Sequence, residues 1–237
     1  MSAENPIRFR AGDIELDGRI TVPGGATRAC VVCHPHPLYG GDMNNPVVVA
    51  ITAALAAAGI ATLRFDFRGV GRSGGIHGGG TPEIDDARAA VNALGAAAGL
   101  DVVAIGGYSF GSLVALRLAA VAGSGADASA SDDDASASAS NAASPGTGPA
   151  AAVRIGAVAA VAPPLAMFDA AFVPRIACPS LLVAGDCDAY CPARDFEALA
   201  ARLPDRATTA LLRGADHFFA GRESEVAAVV VRWFAAI

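Results

Sequence analysis

A serine between two glycines is the first candidate for chemistry in this chain. Gly107, Ser109 and Gly111 form the pattern Gly-x-Ser-x-Gly. Alone, the pattern is a weak signal, because a chain with 27 glycines matches it easily by chance. Here it follows the apolar run at residues 102–105 and precedes a helical pattern at 110–121. A strand, a sharp turn and a helix are the context that exposes a serine nucleophile, so Ser109 is predicted to attack a carbonyl carbon.

A serine hydroxyl is a weak nucleophile at neutral pH, so it requires a histidine base and a carboxylate that orients the histidine. Of the four histidines, His217 is the one that follows a predicted strand late in the chain. Asp186 and Asp188 both follow the predicted strand at residues 180–184. The resulting order of serine, aspartate and histidine is typical of strand-based triads. Asp216 is a weaker candidate than these two carboxylates, because its side chain belongs to the same loop as His217.

Short strands that alternate with helices must hold these residues. Apolar segments predict eight strands, at residues 7–10, 15–22, 30–34, 61–67, 102–106, 155–161, 180–184 and 208–212. Prolines predict helix starts at Pro46, Pro82 and Pro192, and further helices are expected at 110–121 and 223–235. This alternation predicts an α/β fold: a mostly parallel sheet with helices on both faces and an N-terminal antiparallel hairpin. Sites in such sheets lie at the carboxyl ends of the strands.

The composition predicts one globular domain over residues 1–237. Apolar residues make up 53% of the chain and charged residues 17%, which suffices for a buried core. Residues 123–149, rich in alanine, serine, glycine and aspartate, are predicted to be a disordered insertion. A net charge of -6 without a basic cluster argues against nucleic acid, and no apolar run reaches membrane-spanning length. The N-terminus lacks the pattern of a secretory signal, so a cytoplasmic location is expected.

Two groups of cysteine and histidine residues could bind a metal, but a purely structural role explains each group better. Cys30 and Cys33 have the spacing of a redox or zinc motif, but they lie in a predicted strand, where residues three apart face opposite sides. All five cysteines are expected to be reduced. His34 and His36, with Asp42 nearby, suggest a metal site, but no further cluster completes a coordination shell. We therefore expect neither a metal nor another cofactor.

Five stretches together resemble the α/β-hydrolase superfamily, and more narrowly the small, lid-less bacterial serine hydrolases related to dienelactone hydrolases and esterases. They are HPHPLYGG at 34–41, FDFRGVGRS at 65–73, the Ser109 motif, GDCDAYCP at 185–192 and GADH at 214–217. The resemblance implies a cofactor-independent reaction through an acyl-enzyme. Its Gly-x-x-Asp-x-x-x-Pro pattern aligns with residues 185–192 and implies that Asp188, rather than Asp186, orients His217.

The resemblance also implies backbone donors for the oxyanion that forms during acyl transfer. One is the N–H of Phe110, directly after the nucleophile, and the other comes from the loop after the third predicted strand. Pro35 and Pro37 have no N–H, so the loop donor is His36 or Leu38. The family's usual His-Gly order favours His36, although Pro35 stands where the family has glycine.

The substrate class is suggested by the absence of room for a lid, since few residues separate Pro164 from the predicted strand at 180–184. An open site with apolar Leu38, Tyr39 and Phe218 as candidate substrate contacts suggests small or medium acyl esters. Thioesterase, lactonase and peptidase variants of the same mechanism are alternatives, and so is a non-catalytic binding protein with this fold. The expected partner is a small ester-like molecule, and a homodimer is left open.

Overall fold

The computed structural model of the chain describes residues 2–123, 153–203 and 207–237. Apart from Gly123, the tract predicted to be disordered at 123–149 lies outside the described residues. The strands in the described part are β1 Asn5–Ala11, β2 Ile14–Thr21, β3 Ala29–Cys33, β4 Ala61–Phe65, β5 Val102–Tyr108, β6 Arg154–Val161, β7 Ser180–Gly185 and β8 Ala207–Leu212. Each of these strands overlaps one of the segments that the apolar pattern predicts.

The strands form one sheet in the order β1-β2-β4-β3-β5-β6-β7-β8. The first two strands pair antiparallel as a hairpin, and β2 pairs antiparallel with β4. The other neighbours all pair parallel. The mostly parallel sheet and the N-terminal hairpin are therefore confirmed. The carboxyl ends of β3, β5, β7 and β8 meet at one edge, which brings residues far apart in sequence together.

The helices in the described part are α1 Pro46–Ala57, α2 Pro82–Ala98, α3 Phe110–Gly123, α4 Ala193–Ala200 and α5 Glu223–Ala236. Pro46 and Pro82 occupy the first helical position, as predicted, because that position has no N–H bond to lose. The prediction for Pro192 is wrong by one residue. With a ψ of 138°, its backbone is extended, so it precedes α4 as the cap residue.

Apolar side chains fill both faces of the sheet. α1 and α5 cover one face, and α2, α3 and α4 cover the other. Neighbouring residues of a strand point to opposite faces. Cys30 accordingly packs in the layer of α1 and α5, whereas Cys33 packs in the layer of α2 and α3. These two thiols therefore face opposite sides of the sheet, as predicted, and the five cysteines are all unpaired.

The connection between β6 and β7, residues 162–179, contains a single 3-10 turn at Val173–Arg175 and no other helix or strand. This segment therefore forms no cap over the carboxyl edge of the sheet. Within the described ranges, none of the helices combines the length and the apolarity required to cross a membrane.

Candidate active site

Ser109 lies at the sharp turn between β5 and α3. Its φ of 54° is in the left-handed region, which a residue other than glycine enters at a cost in backbone strain. The turn is held by a 2.8 Å hydrogen bond from the Ser109 N–H to the carbonyl of Val161. A Cβ at Gly107 would overlap the backbone of Gly111, and a Cβ at Gly111 would overlap the backbone of Cys33. Both glycines of the motif are therefore required by close backbone approach.

The side chains of Ser109, His217 and Asp188 form a continuous hydrogen-bonded chain. The Oγ of Ser109 lies 2.9 Å from Nε2 of His217. On the other side of the ring, Nδ1 lies 3.0 and 2.8 Å from the two carboxylate oxygens of Asp188. Because the carboxylate only accepts, Nδ1 carries the proton, and Nε2 is left to accept the hydroxyl proton of Ser109. All three residues are at least nine-tenths buried.

The other two aspartates near His217 serve the backbone of the loops. Asp186 accepts the N–H of Gly214 at 2.6 Å, and Asp216 accepts the N–H of Phe218 at 3.0 Å. Asp188 is held by two N–H donors as well, from Tyr190 at 2.8 Å and Cys191 at 2.9 Å. Of the three carboxylates, the structure therefore brings Asp188 to the imidazole and turns Asp186 and Asp216 away from it.

The two candidate oxyanion donors of the β3 loop differ in geometry. The N–H of Leu38 donates to Nδ1 of its own loop residue His36 at 3.2 Å, which caps the 3-10 turn Pro37–Tyr39. It is therefore engaged, and the geometry favours the N–H of His36. The ring of His36 packs 4.8 Å from the ring of Phe110, whose N–H begins α3 and has no acceptor within the helix. The side chains of the two residues predicted to supply the oxyanion N–H groups are thus in contact.

Comparisons with known proteins bear on the superfamily of this chain. The family model Hydrolase_4 (serine aminopeptidase, S33) matches residues 36–131. An alpha-beta serine hydrolase homologue from Coxiella burnetii is 29% identical, with a TM-score of 0.76 over 98% of this chain and 97% of that chain. A lid-less serine hydrolase from Xanthomonas campestris is 25% identical, with a TM-score of 0.75 over 98% and 96% of the chains. The chain belongs to the α/β-hydrolase superfamily.

The similarity also extends over most of one sequence relative. An uncharacterized protein of Rickettsia prowazekii is 29% identical over 235 residues, which span 92% of this chain and 84% of that protein. The sequence similarity to this relative therefore covers most of both chains and is not confined to the segment around Ser109.

His34 of this α/β-hydrolase is a buried bridge between two loops. Its Nε2 accepts the N–H of Phe67 at 3.1 Å, and its Nδ1 lies 2.7 Å from the carbonyl of Pro35. Since an N–H and a carbonyl require one accepting and one donating nitrogen, the ring is neutral, and burial lowers its pKa to about 4. Both nitrogens are thus occupied. In the described part of the chain, no three metal-ligand side chains are placed to hold an ion.

The α/β-hydrolase site has a second imidazole–carboxylate contact, which the sequence did not reveal. Glu83 is fully buried, and its oxygens accept the N–H groups of Gly78 at 2.7 Å and Gly80 at 2.6 Å. Nδ1 of His77 lies 2.8 Å from the same carboxylate, without the alignment of a full hydrogen bond. The His77 ring in turn packs 5.0 Å from His36, so it supports the loop that is predicted to bind the oxyanion.

The predicted substrate contacts lie at the surface of the α/β-hydrolase. Leu38, Tyr39 and Phe218 are 75%, 79% and 62% exposed. Two further residues at the site were missed. The hydroxyl of Tyr108 donates to the carbonyl of His217 at 2.8 Å. Tyr108 occupies an x position of the Gly-x-Ser-x-Gly pattern, so the pattern gave no reason to select it. Tyr190, whose ring lies 4.7 Å from His217, stands two residues after Asp188, and that proximity was a usable signal.

Proposed function

We propose that this α/β-hydrolase is a cofactor-independent serine esterase that cleaves small or medium acyl esters through an acyl-enzyme. The observation that carries the proposal is the unbroken chain from the Asp188 carboxylate through His217 to the Ser109 hydroxyl. A serine made nucleophilic in this way, at the open edge of the sheet, is suited to attack an ester carbonyl.

The reaction follows from the roles of the atoms. As Ser109 Oγ attacks the carbonyl carbon, Nε2 of His217 takes its proton, and Asp188 stabilises the imidazolium. The N–H groups of Phe110 and His36 bind the oxyanion of the tetrahedral intermediate. When the intermediate collapses, His217 returns the proton to the leaving alcohol. A water molecule then attacks the acyl-enzyme through the same base and releases the acid.

The openness of the site supports small and medium substrates in solution. Residues 162–179 form no cap, and the side chains of Leu38 and Tyr39 are exposed beside the predicted oxyanion loop. An open site with a few exposed apolar side chains can contact a short acyl chain, but it encloses little of a long one. The proposal therefore places the activity among carboxylesterases rather than enzymes of lipid surfaces.

A fluorophosphonate probe tests the nucleophile. The wild-type protein should be labelled, and Ser109→Ala should not be. Ser180→Ala is a matched control, because Ser180 is buried at the start of β7, at the opposite edge of the sheet, and only donates to the carbonyl of Cys178. It should be labelled like the wild type. Absence of labelling in the wild type would favour a non-catalytic binding protein with this fold.

The substrate class is tested with p-nitrophenyl esters of graded chain length, assayed beside a thioester and a lactone. We expect kcat/KM to be highest for short and medium acyl chains and to fall for long ones. If kcat/KM is higher for the thioester or the lactone than for the p-nitrophenyl esters, the proposed mechanism stands and the proposed substrate class is wrong.

An aminopeptidase is the second candidate, because the matching family model is described as a serine aminopeptidase. Such an enzyme requires a carboxylate that pairs with the substrate's ammonium group. Asp186 and Asp216 already accept backbone N–H groups, and Glu83 is fully buried. These contacts favour the esterase. Faster cleavage of an aminoacyl p-nitroanilide than of p-nitrophenyl acetate would reverse the preference.

A further inference from the structure

The aromatic rings near Ser109 form two separate groups. In the first, the rings of Phe110, His77 and Tyr39 lie 4.8, 5.0 and 5.1 Å from the ring of His36. In the second, the rings of Tyr190, Phe218 and Tyr108 lie 4.7, 5.7 and 5.8 Å from that of His217. Among the described residues, no ring pair joins the two groups.

The chemistry of acyl transfer gives the two groups different roles. The first group includes the side chains of His36 and Phe110, the two residues whose N–H groups would bind the carbonyl oxygen. The second surrounds the imidazole that must protonate the leaving-group oxygen. Since a general acid must lie within hydrogen-bond distance of the atom it protonates, the leaving group of a bound ester would lie on the side of the rings around His217.

Two rings of the second group are exposed and held in place. Tyr190 is 43% exposed and Phe218 is 62% exposed, whereas Tyr108 is buried. The N–H of Tyr190 donates to Asp188 at 2.8 Å, and its carbonyl accepts the N–H of Ala166 at 3.0 Å. The N–H of Phe218 is fixed by Asp216. Anchored backbone positions the rings before a ligand arrives, which lowers the entropy lost on binding.

We propose that Tyr190 and Phe218 form an aromatic subsite for the leaving group, so that the esterase prefers esters of aromatic alcohols. This inference rests on the proposed esterase function. An aryl leaving group can pack on the exposed faces or edges of both rings while its oxygen meets Nε2 of His217. An ester of a small alkyl alcohol with the same acyl group has nothing to place there.

The test keeps the acyl group constant and varies the leaving group. We compare phenyl acetate with ethyl acetate and measure kcat/KM, which reports acylation, the step in which the leaving group departs. Each variant is compared with the wild type on the same ester, so the higher intrinsic reactivity of the aryl ester cancels. Tyr190→Ala should lower kcat/KM for phenyl acetate about tenfold more than it lowers kcat/KM for ethyl acetate. Phe218→Ala should act in the same direction, and Tyr190→Phe should retain the preference.

Tyr39→Ala is the matched control, because it removes an exposed tyrosine ring that belongs to the group around His36. It should change kcat/KM for both acetates by the same factor. Thermal unfolding verifies that each variant folds. If Tyr190→Ala does not fold, the comparison of the two acetates is made with Phe218→Ala, which removes a more exposed ring. Equal losses for both esters in these variants would overturn the subsite and leave the esterase intact. A wild-type protein that neither hydrolyses an acetate nor reacts with the fluorophosphonate probe would overturn both.

Discussion

The carboxylate of Asp188 meets the imidazole of His217 with both oxygens, at 3.0 and 2.8 Å from Nδ1. Two residues earlier, the carboxylate of Asp186 turns to the N–H of Gly214 instead. Asp188→Asn should lower kcat about 10⁴-fold, because an amide that donates to Nδ1 forces the proton onto Nε2, where it cannot accept from Ser109. Asp186→Asn should cost less than tenfold, since its amide oxygen can still accept from Gly214. Steady-state hydrolysis of p-nitrophenyl acetate measures both; similar losses would contradict the assignment.

Stability should fall in mild acid because of His34. Burial lowers the pKa of this imidazole from 6.5 to about 4, so the unfolded chain binds a proton there before the folded protein does. The stabilisation is complete above about pH 6.5 and is lost as the pH falls toward 4. Between pH 7 and pH 5 we expect the free energy of unfolding to drop by about 2 kcal/mol. Urea unfolding measures the change, and His34→Asn should flatten the slope. An unchanged slope in that variant would assign the effect to other groups.

Thiol reactivity should be greatest at Cys187. It is the exposed cysteine, whereas burial raises the pKa of Cys30 and of Cys191 to about 12. A hydrogen bond to Asp186 also raises the pKa of the Cys187 thiol, which lowers its thiolate fraction at neutral pH. With a chromogenic disulfide at pH 7.5, the native protein should react fastest at Cys187, and more slowly than free cysteine does. Asp186→Asn should accelerate this reaction; a slower reaction would argue against the hydrogen bond.

The serine turn should not tolerate a methyl group at Gly111. A Cβ there would overlap the carbonyl groups of Cys33 and His34, which belong to the backbone and have little room to shift. Gly111→Ala should therefore lower the free energy of unfolding by about 3 kcal/mol and reduce esterase activity. Gly74→Ala is the control, because its Cβ meets the nearest atom, the carbonyl oxygen of Glu15, at an ordinary 3.5 Å. Calorimetry compares the two variants, and equal stabilities would refute the steric argument.

Glu83 should be required for the loop that packs on the oxyanion side. Its carboxylate accepts two backbone N–H groups without any exposure to solvent, and Glu83→Gln replaces one of its acceptor oxygens with a donor. The N–H of Gly78 or of Gly80 that faces this donor loses its acceptor, and the side-chain amide stays fully buried, so the free energy of unfolding should fall by about 2 to 3 kcal/mol. Glu15→Gln, which alters an exposed ion pair with Arg8, should cost less than about 1 kcal/mol. A Glu83 variant as stable as the Glu15 variant would contradict the buried role.

Most of the fold followed from local patterns. The apolar runs that predict β3 and β5, the prolines that begin α1 and α2, and the glycines around Ser109 act over a few residues, so their effect is visible in the sequence. The wrong prediction that Pro192 begins α4 also concerns a local feature. Its ring fits both the cap and the first turn of a helix, and only its backbone angles distinguish the two positions.

Three features could be inferred from the sequence: the alternation of strands and helices, the position of Ser109 on a strained turn, and the resemblance that favours Asp188 over Asp186. Which atoms meet depends on the three-dimensional arrangement of the loops. It brought Asp188, His217 and Ser109 into one hydrogen-bonded chain, engaged the N–H of Leu38, buried Glu83 beneath His77 and placed Tyr190 on His217. The physical reason is that these contacts join loops from separate strands. Their directions depend on strand order and loop conformation, which no short stretch of sequence encodes.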